Sequence, residues 1–356
     1  MPEMSEGALL ALIGFGGGLL LGLAARFGRF CTLGAIEDAL YGGDTGRIRM
    51  WGVALGLSVT FAHLAVAGGY ASFETSIYNA IAWSPVGSIV GGLIFGYGMA
   101  LAGNCGFGAL ARLGGGDLRS FVIVVVMGVS AYIAIGGPLA APRVMLFPAD
   151  PADDPASRGA AVEIGAATGL PPLLIACVIG AILIGVALAD RDFRRNGSRL
   201  FWSAVVAVAI VSGWVGTSWV VENSFEDVRA ASHTFTAPLG EAIFYLMTSS
   251  AGGLSFAVGS VAGVLAGAFL GSVRKGHFVW EACDDPRELG RQMFGAALMG
   301  VGGIIALGCS IGQGMTAFST LAWSAPVTLA AIVAGAALGL RQLIHGLPGF
   351  VPGASP

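Results

Sequence analysis

The sequence predicts an all-α polytopic membrane protein, with about nine transmembrane helices and several short re-entrant helices arranged as an inverted repeat. Three observations carry this. The 356-residue chain is 55% hydrophobic and only 11% charged, against about 25% charged in soluble domains. Glycine fills 58 positions, and small residues let helix backbones approach closely in lipid. A Gly-rich segment containing one cysteine recurs 204 residues further on. With a mean hydropathy of +0.81, this composition excludes a soluble enzyme and a disordered chain. A net charge of -3 excludes nucleic-acid binding, which needs a basic face.

A bilayer core takes about 20 mostly apolar residues per helix. Stretches of that kind run over 8–25, 48–70, 86–104, 118–138, 170–189, 200–220, 254–273, 289–308 and 325–345. The first follows an N-terminus with acids and no basic residue, so it is expected to be a retained span and not a cleaved signal. Shorter apolar pieces at 30–41, 73–81, 106–113, 237–250 and 311–321 are expected to lie in the interface or to dip in and return. The acidic, Pro-rich stretch 139–169 reads as an outer surface linker. Of the 18 basic residues, 15 fall on the side reached after the first span; Arg143, Arg158 and Arg229 fall on the other. The positive-inside rule then puts the N-terminus outside and the C-terminus in the cytoplasm.

Glycines recur every fourth residue at 14, 18 and 22, at 259, 263, 267 and 271, and in the pairs 52/56, 92/96 and 335/339. That spacing lines one helix face and predicts tight helix pairs. The 204-residue shift superposes Gly96 on Gly300, Gly98 on Gly302, Ala102 on Ala306, Cys105 on Cys309 and Gly108 on Gly312. Span 3 then pairs with span 8 and span 4 with span 9. An odd offset of five spans turns the second copy upside down. The expected organisation is a first repeat over 1–138, an acidic outer loop and connecting span over 139–199, and an inverted second repeat over 200–356.

The five cysteines are too sparse for a disulfide framework, and no C-x-x-C occurs. Cys31, Cys105 and Cys309 each fall between a span and a short apolar piece. If the short piece is a half-helix, the thiol sits at its N-terminus, where free N–H groups favour anions. Gly106, Gly108 and Gly312 let backbone amides approach a ligand, and a thiol adds a weak donor and a polarizable surface. Asn104, Ser310 and Gln313 complete these two junctions, with Glu37 beside the first cysteine. Asn104 and Gln313 either bond an anion or satisfy half-helix ends; Glu37 and Asp38 suit a solvated turn equally well. Arg26 and Arg29 fit the positive-inside set, with a secondary pull on anions. Cys177, mid-span, reads as apolar filler, and Cys283, flanked by acids, as incidental. His63 is either a proton relay or a bonded structural histidine. No metal or cofactor site is indicated.

Three motifs add a family resemblance. The segments Phe30-Cys-Thr-Leu-Gly-Ala-Ile-Glu-Asp38, Gly98-Met-Ala-Leu-Ala-Gly-Asn-Cys-Gly-Phe-Gly-Ala-Leu-Ala-Arg-Leu-Gly-Gly-Gly116 and Gly308-Cys-Ser-Ile-Gly-Gln-Gly-Met-Thr316 resemble the YeeE/YedE family of sulfur-compound transporters. The resemblance covers nearly the whole chain. It implies an hourglass-like inverted repeat in a bacterial inner membrane, a transporter and not an enzyme. It also implies thiosulfate or a similar sulfur oxyanion as solute, passed by S–H···S bonds between thiols matching Cys31, Cys105 and Cys309. A small TusA-like cytoplasmic sulfurtransferase is the implied partner. The residues alone leave two alternatives open: a membrane thiol or persulfide-handling enzyme, and a transporter of a selenium compound or another small anion. Inward movement of a dianion against an interior-negative 100 mV costs roughly 4.6 kcal/mol, so it needs coupling or consumption inside.

Overall fold

The computed structural model describes residues 5–148, 150–154, 158–224, 228–250, 253–282 and 285–346, and Cys283 lies outside them. Among the described residues the secondary structure is helical, with no strand. The elements run α1 (Glu6–Phe27), α2 (Thr32–Glu37) continued by a π-turn (Asp38–Gly42), α3 (Gly46–Ala67), α4 (Ile77–Ala80), α5 (Pro85–Ala102), α6 (Gly106–Leu113) and α7 (Leu118–Ile135). They continue as α8 (Ala140–Leu146), α9 (Ala160–Thr168), α10 (Pro172–Ala187), α11 (Arg191–Arg195), α12 (Gly197–Asn223), α13 (Ala237–Thr248) and α14 (Phe256–Arg274). The last are α15 (Pro286–Ile305), a second π-turn (Gly312–Ala317) and α16 (Ser324–His345).

Local signals set many starts. The side chains of Ser5, Ser84, Asp117, Asn196, Ser255 and Asp285 each accept a backbone N–H in the first turn of the following long helix. Proline opens α5, α10 and α15, where its missing N–H costs nothing.

Among the described residues seven helices are long and apolar enough to cross a membrane: α1, α3, α5, α7, α12, α14 and α16. Two stretches expected to span fall short for identifiable reasons. The helix at 170–189 shortens to the 16 residues of α10, because Pro171 and Pro172 start it late and α9 meets it at 120°. Counting that bent pair as one span gives eight. The 20-residue α15 opens with Arg287, Glu288 and Arg291, which dilute its apolar length. The expected linker at 139–169 is also corrected: it contains α8 and α9, and Ala161 of α9 is buried against Val59, Ile175, Ala176 and Leu321.

The glycine stripes form the main seams. A Cβ on Gly18 would lie 2.3 Å from the Ser260 carbonyl, and one on Gly259 would lie 1.9 Å from that of Ala11. Only glycine permits α1 and α14 to run this close, and they run parallel: Gly14 meets Phe256, Gly18 meets Ser260 and Gly22 meets Val264. The same rule joins α5 to α16 through Gly92, Gly96, Gly335 and Gly339. Further neighbours are α3 with α12, α7 with α15, α5 with α15, α1 with α12, and α3 with α10. Of the short pieces, α6 and α13 rest on α7 and α14, while α2 and the second π-turn rest on α3 and α16.

Candidate functional site

The three cysteines share one local geometry. Two residues before each lies a left-handed residue that ends the preceding helix: Arg29 (φ 55°) before Cys31, Gly103 (φ 77°) before Cys105, and Leu307 (φ 56°) before Cys309. Glycine takes this conformation readily, whereas Arg29 and Leu307 do so at roughly 1–2 kcal/mol each. The reversal turns the chain sharply, so each cysteine begins a new helical turn. Cys31 is the N-cap of α2 and Cys105 the N-cap of α6. Cys105 Sγ accepts the N–H of Gly108 (3.4 Å). Cys309 Sγ accepts the N–H of Gly312 (3.3 Å) and, from the chain leading into α13, that of Phe235 (3.3 Å). The Thr234 hydroxyl lies 3.7 Å from the same sulfur. At Cys105 and Cys309 sulfur therefore does the capping that a serine oxygen usually does, whereas Cys31 makes no side-chain cap bond.

The fold gathers these junctions. Thr32, next to Cys31, donates its hydroxyl to that of Ser310 (3.0 Å), next to Cys309. The Ser310 hydroxyl also lies near the Cys105 thiol. Cys105 and Cys309 are each 1% exposed, while Cys31 is half-buried against the same core.

Two cavities approach this centre from opposite ends of the α1–α14 pair. The first, about 330 Å³, lies at their C-terminal ends; it is labelled inner, and the second outer, after the orientation proposed below. Arg26, Arg29, Arg47, Arg112, Lys275, His277, Cys31, Asn104 and Gly108 line it. Among the described residues, only Arg47 of its cations holds a carboxylate within ion-pair distance, that of Asp38. Lys275 donates to the Arg26 carbonyl (2.7 Å), and burial, then Arg29 and Arg26, pull its pKa below the usual lysine value. The outer cavity, about 410 Å³, lies at the N-terminal ends of the pair. Tyr78, Ser232, Thr234, Ser255, Ser260, Arg229 and Glu241 supply its polar groups. Thr234 connects it to Cys309, and Gly108 connects the inner cavity to Cys105.

The remaining expected residues divide. Asn104 lines the inner cavity, and its buried Oδ1 has no hydrogen-bond partner. Ser310 lies at the centre. Gly312 gives its N–H to Cys309 and its carbonyl to the Tyr78 hydroxyl (3.0 Å). Gly106 is a close-packing position: its Cβ would sit 2.8 Å from the Phe235 carbonyl. Gln313 is structural, donating to Ala306 and Leu307 carbonyls at the end of α15 while accepting from Ser324. Glu37 is exposed and lines neither cavity. His63 faces its own helix, with Nδ1 3.0 Å from the Val59 carbonyl. Sequence reasoning missed Thr32, Tyr78, Thr234, Arg112 and Lys275. Thr32 and Ser310 each follow a junction cysteine directly, which is the signal that could have paired them. Thr236 is the N-cap of α13, as Cys31 is of α2.

A family model described as sulphur transport matches residues 27–338, a stretch holding all three junctions. The chain belongs to the sulphur transport family. Its curated relatives agree. It is similar to the thiosulfate transporter TsuA of Spirochaeta thermophila, 26% identical over 312 residues, covering 86% of this chain and 91% of that one. It is also similar to the thiosulfate transporter TsuA of Escherichia coli K12, 23% identical over 330 residues, covering 89% and 90%. As a sulphur transport family member it is a multi-pass membrane protein.

Proposed function

We propose that this protein carries thiosulfate, or a closely related sulfur oxyanion, inward across a bacterial inner membrane, using Cys309, Cys105 and Cys31 as successive thiol contacts. One observation carries the reading: three cysteine junctions meet around Ser310, between two cavities that open at opposite ends of α1 and α14.

The proposed chemistry follows from the hydrogen bonds. Backbone N–H groups occupy the acceptor side of Cys105 and Cys309 sulfur, leaving the S–H protons for a solute. Thiosulfate presents a soft terminal sulfur that a thiol suits, and oxygens that Thr234, Ser310, Thr32 and backbone amides suit. The solute enters from the outer cavity past Tyr78 and Thr234, exchanges partners at Cys309, Ser310 and Cys105, and leaves past Cys31 and Asn104. The thiols bind and release without covalent chemistry, so the protein is a transporter and not an enzyme. The buried centre must open transiently, since Cys105 and Cys309 line neither cavity.

The packing supports the nine-span inverted repeat behind this route, with α10 and α15 as the two short or charged spans. Exchanging spans 1 to 4 for 6 to 9 turns α1–α14 into α12–α3 and α5–α16 into α15–α7, each an observed pair. It also turns α13 on α7 into α2 on α16, and α6 on α14 into the second π-turn on α3. Of the nine candidate spans, only α10 stands outside the exchange, as a connecting span should. The repeats are 1–138 and 200–356, with the basic cavity facing the cytoplasm and the N-terminus outside. A TusA-like sulfurtransferase is the proposed cytoplasmic acceptor. Proteoliposome uptake of labelled thiosulfate tests the reading: Cys105→Ala and Cys309→Ala should abolish uptake while the purified variants stay folded and monodisperse. Full uptake by both would remove the thiol route.

A further inference from the structure

We propose that the inner cavity is a second, thiol-independent site that binds a free tetrahedral dianion of the sulfate class and, when filled from the cytoplasm, slows uptake. This deepens the transport reading and rests on its orientation of the molecule.

The site is built from five cationic side chains, Arg26, Arg29, Arg47, Arg112 and Lys275, together with His277, and no carboxylate lines it. Like charges so close repel one another unless an anion joins them. Among the described residues, Arg26, Arg29, Arg112 and Lys275 have no carboxylate within ion-pair distance. Two buried polar atoms in it lack partners: Arg26 Nε and Asn104 Oδ1, the latter on a side chain only 1% exposed. An amide oxygen and nitrogen exchange by rotation, so Asn104 can equally offer an N–H to an oxyanion. Arg26 lies where only a glycine leaves room, since a Cβ on Gly115 would sit 1.1 Å from its guanidinium. Arg29 is held there by a left-handed backbone.

These features fit an oxyanion with charge on several oxygens. Guanidinium groups pair with such ions through two parallel N–H bonds. A cavity of about 330 Å³ holds one with some of its water. Cys31 contributes one thiol to the wall, whereas Cys105 and Cys309 lie outside it. An ion bound there would block the last contact of the outgoing solute and add a repelling charge.

The test measures equilibrium binding of radiolabelled sulfate to the purified full-length protein, with chloride at matched ionic strength as control. Saturable binding is expected. Arg29→Gln combined with Arg112→Gln should weaken it about tenfold or more. Arg29→Lys with Arg112→Lys should recover part of it through charge alone, which separates lost charge from lost folding. Replacing all three junction cysteines by alanine should leave it within a few-fold. In proteoliposomes of determined orientation, sulfate on the cytoplasmic face should slow thiosulfate uptake several-fold more than sulfate outside. Absence of saturable binding, wild-type binding by the double Gln variant, loss of binding in the cysteine-free variant, or displacement of sulfate by phosphatidylglycerol would each overturn the proposal. If thiosulfate uptake fails while arginine-dependent sulfate binding persists, the transport reading falls and the site stands.

Discussion

The two cavities differ in chemistry more than in size. The outer one offers hydroxyl groups, one Arg229 and one Glu241, and is close to neutral; the inner one gathers five cations. Both stop at the same buried layer, one at Cys309 through Thr234 and the other at Cys105 through Gly108. On the proposed route this difference divides the labour: neutral groups would exchange water for hydrogen bonds on the way in, thiols would bridge the dry layer, and positive charge would draw the dianion out. In the proposed orientation, the charge difference between the two cavities would offset part of the membrane's opposition to an incoming dianion.

The strongest way to break the comparison is to cut the layer both cavities share. Cys105→Ala and Cys309→Ala should bring uptake to the level of empty liposomes. Cys31→Ala, at the basic mouth, should leave measurable uptake, because cations beside it still hold the solute. Equal losses at all three would erase the distinction between centre and mouth.

Next comes the seam that holds the cavities at opposite ends. Gly18→Leu forces a side chain into the Ser260 carbonyl and should destabilise the α1–α14 pair by about 3 kcal/mol. The expected sign is loss of monodisperse protein in size-exclusion chromatography. A variant that is folded and active would mean the seam gives way more easily than its backbone contacts indicate.

Ser310→Ala sharpens the role of the link between junctions. It removes the acceptor for Thr32 and the neighbour of Cys105, a loss of about 1 kcal/mol that should lower uptake a few-fold. Initial-rate uptake measures it.

A pH titration should separate the two ends. Lys275 has a pKa lowered by burial and by Arg29 and Arg26. As pH rises through that value, the inner cavity loses a charge and should hold sulfate less tightly, while the outer cavity has no equivalent group. Between the lowered value and 10.5 the unfolded chain holds more protons on this lysine than the folded one, so folding stability from this group rises with pH. Sulfate binding and thermal stability should therefore move in opposite directions, and Lys275→Gln should flatten both trends. The smallest effect is expected for Asp38→Asn, which loses a partly exposed pair with Arg47 and should cost under about 1 kcal/mol by denaturant titration.

Much of this was legible in the sequence, for physical reasons. Four-residue glycine spacing says that one face is bare, and bare faces in lipid meet other helices; Gly14, Gly18 and Gly22 lie on α14 accordingly. The short apolar segments were readable by length alone, and α6 and α13 start where those segments start. Span boundaries were less legible where charge and proline intervene, as at α15 and α10. The junction geometry was legible only at Gly103, since a left-handed Arg29 or Leu307 carries no sequence signature. Gln313, four residues after Cys309, and Asn104, just before Cys105, are both amides close to a junction cysteine, yet one is consumed by carbonyls at a helix end and the other faces a cavity. Which fate an amide meets depends on the path of the neighbouring backbone, and composition does not encode that.

The most direct test of the central claim is a high-resolution cryo-EM map of the full chain saturated with thiosulfate. The account predicts solute density in contact with Cys309 or Cys105 sulfur, beside Ser310 and between the two cavities. Solute density that avoids this layer, with both buried thiols still sealed from its path, would contradict it.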